Sequence, residues 1–399
     1  MKAKETPKWW GAPRKFSIEH EERKISWLEL FYDLVYVIAI SNITHHLAMH
    51  LNLSGLLDFV YFFIMIFWGW FNGSLHHDLH ASVGLRTRLM TLWQIMIVAA
   101  LIITMNSESE QYVFNATIAL MVMQFFITYL WWSVGIYDKA HRKLNIPYTI
   151  CFLLSMAIML LTLFLKQPYI RIAFYISLLL NYLPFIAPLF FRKSTLEFNL
   201  SSSMTERLGL FTIIIFGEVV LGIINGISAL HHLNFSIWFY FILSMLIVFL
   251  LWWIFFSLIA DKDSNKRRSS SYLIPLTYIP TLMSMGLLAV SFNKIFSSFT
   301  HGDDANLPII KSAFCVFIAI FLIGVIILIN FLTYPQGYHH AIVKMQRILF
   351  FVVAALFILA TLNSPLDLMT YLFMVFLMLL GVVVFIFRSW VKVEVHHKT

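Results

Sequence analysis

Charged residues are scarce in this chain: they make up 12% of its 399 residues, while hydrophobic residues make up 60%. The mean hydropathy is +0.82. A soluble globular protein is about one quarter charged, so a chain this apolar is expected to lie in a membrane. The net charge of +8 is then explained by the loops between membrane spans, and we predict no nucleic-acid partner.

Motifs for nucleotide binding and hydrolysis are absent as well. The sequence has no glycine-rich phosphate loop, no His-Glu-x-x-His and no Gly-x-Ser-x-Gly. No polar segment is long enough for a nucleotide-binding domain, which excludes ATP-driven pumping by this chain alone. Its two cysteines, Cys151 and Cys315, lie in apolar runs, so we expect no disulfide and no metal site built on them. We predict no cofactor and no bound metal.

Apolar runs recur along the chain with short polar breaks. Each run has about 17–25 residues, the length that crosses roughly 30 Å of hydrocarbon as a helix. Because backbone groups in hydrocarbon must bond within their own segment, the runs predict an all-α, polytopic membrane protein with about twelve transmembrane helices. The predicted spans are 26–48, 56–75, 88–106, 112–136, 147–165, 169–191, 207–228, 236–259, 272–293, 308–332, 345–362 and 367–388.

The positive charges predict the orientation of these spans. If both termini are cytoplasmic, then all but four of the 28 lysines and arginines fall in cytoplasmic segments. The four exceptions are Lys166, Arg171, Lys294 and Lys311. Since cytoplasmic loops of membrane proteins are enriched in Lys and Arg, we predict that both termini are cytoplasmic.

A faint internal similarity predicts two six-helix repeats. Residues 31–35 align with residues 216–220, and the same shift aligns Trp68 with Trp253. Repeats of six helices would share their orientation and be related by an axis along the membrane normal; the alternative is that no repeat exists. The predicted organisation is a cytoplasmic or interfacial N-terminal segment 1–25, a first membrane half 26–191, a cytoplasmic linker 192–206, a second membrane half 207–388 and a cytoplasmic tail 389–399.

Carboxylates inside the predicted spans are the main functional signal. Glu29 and Asp33 lie one helical turn apart in span one, and Glu218 lies near the middle of span seven. An ionisable group in hydrocarbon costs several kcal/mol and marks an ion or proton pathway by default; the alternative is a packing group between helices. We predict a transport path, or a proton or cation site, formed by Glu218, Asp33, Glu29, Glu206 and Arg207. Glu29 and Glu206 also suit the positive end of a helix dipole and are alternatively helix caps.

A second polar cluster lies at the end of span two. Its residues are Asn72, His76, His77, Asp78 and His80. The spacing of His76 and His80 allows both to bind one metal on a helix, although histidines at the membrane interface are the commoner outcome. Because span one starts on the side where span two ends, we expect this cluster to lie near Glu29 and Asp33.

Smaller signals concern the packing of the spans. Seven further polar residues lie inside apolar runs, and we predict that most of them form hydrogen bonds between helices. They are Asn72, Gln94, Asn115, Gln124, Asn181, Asn225 and Asn330. The spacing of Gly222 and Gly226 predicts that span seven packs closely against a neighbour.

Two acidic blocks carry a resemblance to a known family. The first is Trp-Leu-Glu-Leu-Phe-Tyr-Asp-Leu-Val at 27–35, and the second is Thr-Glu-Arg-Leu-Gly-Leu-Phe-Thr-Ile-Ile-Ile-Phe-Gly-Glu at 205–218. The aromatic stretches at 68–72 and 252–253 fit as well. The chain resembles the bacterial low temperature requirement protein A family. The resemblance implies a multi-pass protein of the bacterial cytoplasmic membrane, named for growth at low temperature and without a settled molecular activity.

Three functions are compatible with these signals. The leading hypothesis is a secondary transporter or ion-conducting protein that moves an unidentified small ion or solute and uses the intramembrane carboxylates. The second is a structural or sensory membrane protein of cold adaptation, with the acids as packing groups. The third is a membrane-embedded enzyme that acts on a lipid through Glu29, Asp33 and the histidines of span two. We expect no enzyme activity, a lipid bilayer as the main partner, and association with further copies of the chain as an open alternative.

Overall fold

The structure is a computed structural model of the chain. It describes residues 25–80, 84–105, 112–139, 142–166, 168–190, 200–230, 234–260, 262–264, 268–301, 307–335, 337–361 and 366–398. These residues form twelve helices: α1 (Trp27–Met49), α2 (Leu53–His80), α3 (Leu85–Met105), α4 (Tyr112–Tyr137), α5 (Arg142–Thr162), α6 (Tyr169–Phe190), α7 (Ser202–Ser228), α8 (Phe235–Leu258), α9 (Arg268–His301), α10 (Leu307–Ile329), α11 (His339–Thr361) and α12 (Leu368–Lys398).

The predicted all-α architecture is confirmed. Each helix corresponds to one predicted span, and all twelve helices of the described residues are long and apolar enough to cross a bilayer. Two helices are much longer than predicted: α9 has 34 residues and α12 has 31. Helical hydrogen bonding continues into the polar residues beyond an apolar run, so hydropathy alone underestimates helix length. The cytoplasmic position of the termini and the internal repeat stay predictions.

Large apolar side chains cover the outside of the helices. Trp27 and Phe235 are 87% and 86% exposed, and Phe164 is 80% exposed. In water such exposure would be unfavourable, whereas hydrocarbon solvates these side chains as well as a protein core does. This outward-facing apolar surface is what a membrane-embedded chain requires.

The chain divides into two compact units, and the boundary falls within α7. The first unit ends at Arg207, while the second begins at Leu208 and also includes Leu47–Met49. In the first unit α4 packs against α2, α3 and α5, and α6 packs against α2 and α5. In the second unit α10 packs against α8, α9 and α11, and α12 packs against α8 and α11. The predicted boundaries of the two membrane halves stay a prediction.

A buried polar network joins helices of the first unit. Gln124 Nε2 donates to the Phe152 carbonyl at 2.7 Å and to Asn181 Oδ1 at 2.9 Å. Trp68 Nε1 donates to the Asn181 carbonyl at 3.2 Å. These contacts confirm the predicted interhelical hydrogen bonds of Gln124 and Asn181. They connect α2, α4, α5 and α6 in a region where hydrocarbon offers no other partners.

Close helix packing in the second unit depends on two glycines. A Cβ atom added to Gly222 would lie 2.9 Å from the carbonyl carbon of Ala289, and one added to Gly226 would lie 2.9 Å from the Cβ of Phe296. Only a residue without a side chain lets the backbones of α7 and α9 approach this closely. The predicted close packing of span seven is confirmed, with α9 as its neighbour.

Candidate functional site

The first turn of α1 is fixed by a capping box between Ser26 and Glu29. Ser26 Oγ accepts the Glu29 amide at 3.4 Å, while Glu29 Oε2 accepts the Ser26 amide at 2.7 Å and the Ser26 hydroxyl at 2.8 Å. The box satisfies backbone donors that the start of a helix leaves unpaired. Because the cap uses Oε2, the other carboxylate oxygen of Glu29 is directed to neighbouring helices.

Oε1 of Glu29 meets α2 and α7. It lies 2.7 Å from His77 Nδ1 and 3.7 Å from Arg207 Nη1. The first distance is that of a short hydrogen bond between a carboxylate and an imidazole, and the second is that of an ion pair without a hydrogen bond. Glu29 is only 3% exposed. A pair of titratable groups, of which Glu29 is buried and the His77 side chain is 16% exposed, therefore lies where α1 begins and α2 ends.

Asp33, one turn further along α1, is held by two donors. Arg207 Nε donates to its Oδ2 at 3.2 Å, and Arg207 Nη2 donates to its Oδ1. Trp70 Nε1 also donates to Oδ1, at 2.7 Å. Asp33 is 0% exposed and Arg207 1%. A two-pronged guanidinium–carboxylate pair with a further donor is the arrangement that makes two buried charges tolerable.

Tyr32 and Gly73 shape the surroundings of this ion pair. The Arg207 Cζ atom lies 5.7 Å from the centroid of the Tyr32 ring, within the range of a cation–π contact. The Tyr32 hydroxyl donates to Gln94 Oε1 of α3 at 2.9 Å. A Cβ atom on Gly73 would overlap the Tyr32 hydroxyl and Gln94 Oε1. The absence of a side chain at Gly73 thus lets α1, α2 and α3 converge beside Arg207.

A cavity adjoins this cluster inside the first unit. Its volume is about 40 Å³ for the centres of water-sized spheres. One ordered water needs about 10–15 Å³ on this measure, so the cavity has room for about three waters or one small ion. It is lined by Glu29, Tyr32, Gly73, His76, His77, His80, Arg86, Thr87, Met90, Thr91, Gln94, Leu130 and Arg207.

Two buried nitrogen atoms of the lining have no hydrogen-bond partner among the described residues: Arg207 Nη1 and His76 Nε2. The His76 ring lies 5.5 Å from the His80 ring and 6.0 Å from the Trp131 ring, measured between centroids. Buried nitrogens of this kind normally have partners, so a polar cavity beside them is where a water or a ligand belongs.

Arg86 adds a second guanidinium group to the lining. Its Nη2 donates to Ser133 Oγ of α4 at 3.3 Å, and its Cζ atom lies 5.9 Å from the centroid of the Tyr137 ring. Arg86 is buried, with 7% exposure. These contacts hold the Arg86 side chain between α3 and α4 at the cavity. From the sequence alone, Arg86 was only one of the positive charges that predict the orientation of the spans.

Asp78 has a different role from its neighbours in the sequence. Ser201 Oγ donates to its Oδ2 at 2.6 Å, Ser203 Oγ donates to its Oδ1, and Ser201 Oγ accepts the Met204 amide at 3.0 Å. The carboxylate therefore ties the end of α2 to the first turn of α7. This contact positions Arg207, which lies in the following turn.

The structure joins four of the predicted residues, Glu29, Asp33, Arg207 and His77. Of the others, Asn72 Nδ2 donates to the Trp68 carbonyl within α2 at 3.0 Å. Glu206 is exposed on α7. Glu218 belongs to the second unit, where it is 7% exposed.

The histidine cluster does not form a metal-binding group. Within the described ranges, no three His, Cys, Asp or Glu side chains are arranged to hold one metal ion. His76 and His80 approach each other as their spacing predicted, but they lack a third ligand of these types in the described part of the chain.

Trp70 and Tyr32 are the site residues that sequence reasoning missed. A buried indole N–H needs an acceptor, and Asp33 was an unpartnered acid in the neighbouring span. That requirement was the available signal for Trp70. Tyr32, which sits between Phe31 and Asp33, offered only its general tendency to bury a ring and bond through its hydroxyl.

Comparisons with known proteins agree with this architecture. A search of curated proteins found no match. The sequence model described as "Bacterial low temperature requirement A protein (LtrA)" matches residues 24–385. The match includes the ion-pair cluster, the cavity and nearly all of the twelve candidate spans, so this is a multi-pass membrane protein. The chain belongs to the bacterial low temperature requirement A (LtrA) family.

Proposed function

We propose that this LtrA-family protein is a secondary transporter or ion-conducting protein in which the Glu29–His77 pair binds and releases protons. The observation that carries the proposal is the position of the pair. A carboxylate and an imidazole lie 2.7 Å apart and line a cavity between membrane helices of the first unit. Ionisable residues in membrane spans commonly form ion pathways and proton relays.

His77 is the group that we assign to proton exchange. Its Nδ1 atom is hydrogen-bonded to Glu29 Oε1, and histidines paired with carboxylates are common members of proton relays in membrane spans. The charged and titratable groups that line the cavity with His77 are Glu29 and Tyr32 of α1, Arg207 of α7, Arg86 of α3, and His76 and His80 of α2.

Asp33 acts in this proposal as an anchor. Both of its oxygens are bonded to Arg207, and Trp70 adds a third hydrogen bond. A carboxylate so fully engaged exchanges protons less readily than one bonded to a histidine beside a cavity. Asp33 then holds Arg207 close to Glu29. The guanidinium group thereby places a positive charge beside the Glu29–His77 pair.

Glu218 is the second acid that we assign to ion or proton binding. It lies 16 positions after the first residue of α7, or about 24 Å along the helix axis at 1.5 Å per residue. It is buried in the second unit. It also lies 10 positions before the last residue of α7, and a carboxylate well inside a membrane helix needs a functional or structural compensation for its cost.

Proteoliposome flux tests the proposal. Purified protein is reconstituted into liposomes that contain a pH-sensitive dye, and gradients of protons, Na⁺, K⁺ and small anions are applied in turn. Glu29→Gln removes the charge but keeps the capping box, which Gln also supports. We expect at least tenfold slower proton-coupled flux in this variant, and unchanged flux in His50→Gln, an exposed histidine at the other end of α1. Equal flux in wild type and Glu29→Gln would reject the assignment.

A structural or sensory role is the second candidate, and the Asp33–Arg207–Trp70 contacts favour it. These three side chains are buried and bonded to one another, as packing groups would be. In that case wild-type protein shows no flux under any gradient, whereas Asp33 and Glu218 variants change only the thermal stability. Flux and unfolding measured on the same preparations separate the two functions.

A further inference from the structure

We propose that the cavity bounded by α1, α2, α3, α4 and the first turns of α7 binds a small oxyanion. Arg207 Nη1 and His76 Nε2 are its main donors. The inference rests on the proposed function for one step only: an oxyanion that binds as a free solute is the solute that crosses the membrane with a proton. Binding itself requires no transport.

The two nitrogens without hydrogen-bond partners, Arg207 Nη1 and His76 Nε2, point to a ligand with acceptor atoms. A guanidinium nitrogen can only donate, so the missing partner of Arg207 Nη1 must be an acceptor. Glu29 Oε1 at 3.7 Å is too distant for a hydrogen bond. His76, whose Nε2 atom has no partner among the described residues, lines the same cavity, and in the tautomer that carries its proton on Nε2 this atom needs an acceptor too. An oxyanion offers several acceptor oxygens within one small volume.

The lining of the cavity contains two guanidinium groups, those of Arg86 and Arg207, and a single carboxylate, that of Glu29. Asp33 is bonded to Arg207 and offsets part of its charge, but it is not part of the lining. The hydroxyl groups of Thr87 and Thr91 supply further polar contacts. The lining itself therefore carries more guanidinium groups than carboxylates, which suits an anion better than a cation.

The volume of the cavity matches that of a small anion. The volume of about 40 Å³ corresponds to about three waters. A carboxylate, nitrate or phosphate group displaces a similar number of waters, whereas a sugar or a nucleotide would not fit. The chemical class is therefore a small oxyanion, which is either a free solute or the phosphate of a lipid headgroup.

Calorimetric titration of the purified full-length protein in detergent tests the site, with sodium acetate and inorganic phosphate as probes. We expect saturable binding to the wild type and at least tenfold weaker binding to His76→Phe, which keeps a ring against Trp131 but removes the donor. His50→Phe is the control and should bind like the wild type. Absent binding to wild type, or equal binding to His76→Phe, overturns the proposal.

A second pair of variants keeps the proposal testable if His76→Phe does not fold. Met90 also lines the cavity, and Met90→Glu and Met90→Gln differ only by one charge at nearly the same shape. We expect Met90→Glu to weaken anion binding at least tenfold relative to Met90→Gln, because it adds a negative charge beside the anion. Equal affinities in the two variants would contradict an anion site even if His76→Phe is unstable.

Two further measurements identify the source of the oxyanion and separate this inference from the proposed function. Mass spectrometry of the purified protein shows whether a phospholipid is retained and whether free phosphate displaces it; displacement assigns the site to a headgroup, and phosphate binding without a retained lipid assigns it to a solute. Binding with no flux of the anion or of protons rejects transport alone. Proton-coupled flux without anion binding rejects the oxyanion alone.

Discussion

Arg207 and Asp33 are 174 positions apart in the chain, yet they form a two-pronged ion pair with almost no exposure to solvent. The pair joins the second turn of α7 to the second turn of α1, and Trp70 of α2 completes it. Each of the three helices contributes a polar side chain to this cluster. The hydrogen bonds between these side chains fix how far the helices are shifted along one another. Its energetics can be measured directly.

Breaking this pair on one side should destabilise the protein strongly. Asp33→Asn and Arg207→Gln each leave an uncompensated buried charge, which typically costs about 3–5 kcal/mol. Arg207→Lys should cost nearly as much, since an ammonium group cannot donate in two prongs or stack on Tyr32 in the same way. The double variant Asp33→Asn/Arg207→Gln should be destabilised by less than the sum of the losses in its two single variants. Thermal unfolding in detergent measures the stability of these four variants against the wild type.

The control for this cycle is the exposed pair of Asp58 and Arg171. Their closest charged atoms are 3.7 Å apart and their side chains are 38% and 32% exposed. Such a pair contributes about 0–1 kcal/mol, so Asp58→Asn should change the unfolding temperature little. A loss at Asp33 no greater than the loss at Asp58 would contradict the buried-pair interpretation.

Gly73→Ala should lower stability because the new methyl group has no space. It would overlap the Tyr32 hydroxyl and Gln94 Oε1, whereas a Cβ on Gly209 has no atom within 4 Å. Forcing a methyl group into a packed contact costs about 1–3 kcal/mol. Gly209→Ala should instead be neutral or stabilising by up to about 1 kcal/mol through its higher helix propensity. Thermal unfolding of the two variants should therefore shift in opposite directions or by clearly different amounts.

Asp78→Ala should loosen the start of α7. It removes the acceptor for Ser201 and Ser203, and hydrogen bonds to a charged group contribute about 1.5–3 kcal/mol each. Hydrogen exchange of the α7 amides should rise in this variant, most of all around Met204. Unchanged protection there would mean that the first turn of α7 is held by other contacts.

The fold was largely predictable because its signal is local. A span such as 308–332 is apolar over its whole length, and α10 (Leu307–Ile329) follows it closely. Lengths were less predictable: α9 continues past the predicted end at residue 293, through Lys294 to His301. Backbone hydrogen bonding needs no apolar side chains, so polar residues can extend a helix that hydropathy would end.

The site was predictable only where helix geometry sufficed. Glu29 and Asp33 share a face by spacing, and span order placed them near His77. The pairing of Asp33 with Arg207 was not predictable, because no local pattern connects residues so distant in sequence. The sequence assigned Arg207 to the predicted transport path, but its burial against Tyr32 depends on how the helices pack.

Glu218→Gln tests the second proposed ion-binding acid. If Glu218 binds a proton or cation during transport, neutralising it should abolish coupled flux while the unfolding temperature changes little. If it is a packing group, stability should change and flux should persist. Flux and thermal unfolding are measured on one preparation, with Glu206→Gln as an exposed control on the same helix.

The central claim is that the Glu29–His77 pair exchanges protons during transport, and its most direct test is the pH dependence of flux in liposomes for wild type and His77→Gln. We expect wild-type flux to vary with pH, and His77→Gln flux to be at least tenfold slower and insensitive to pH. A His77→Gln variant with wild-type flux and the same pH profile would contradict the account.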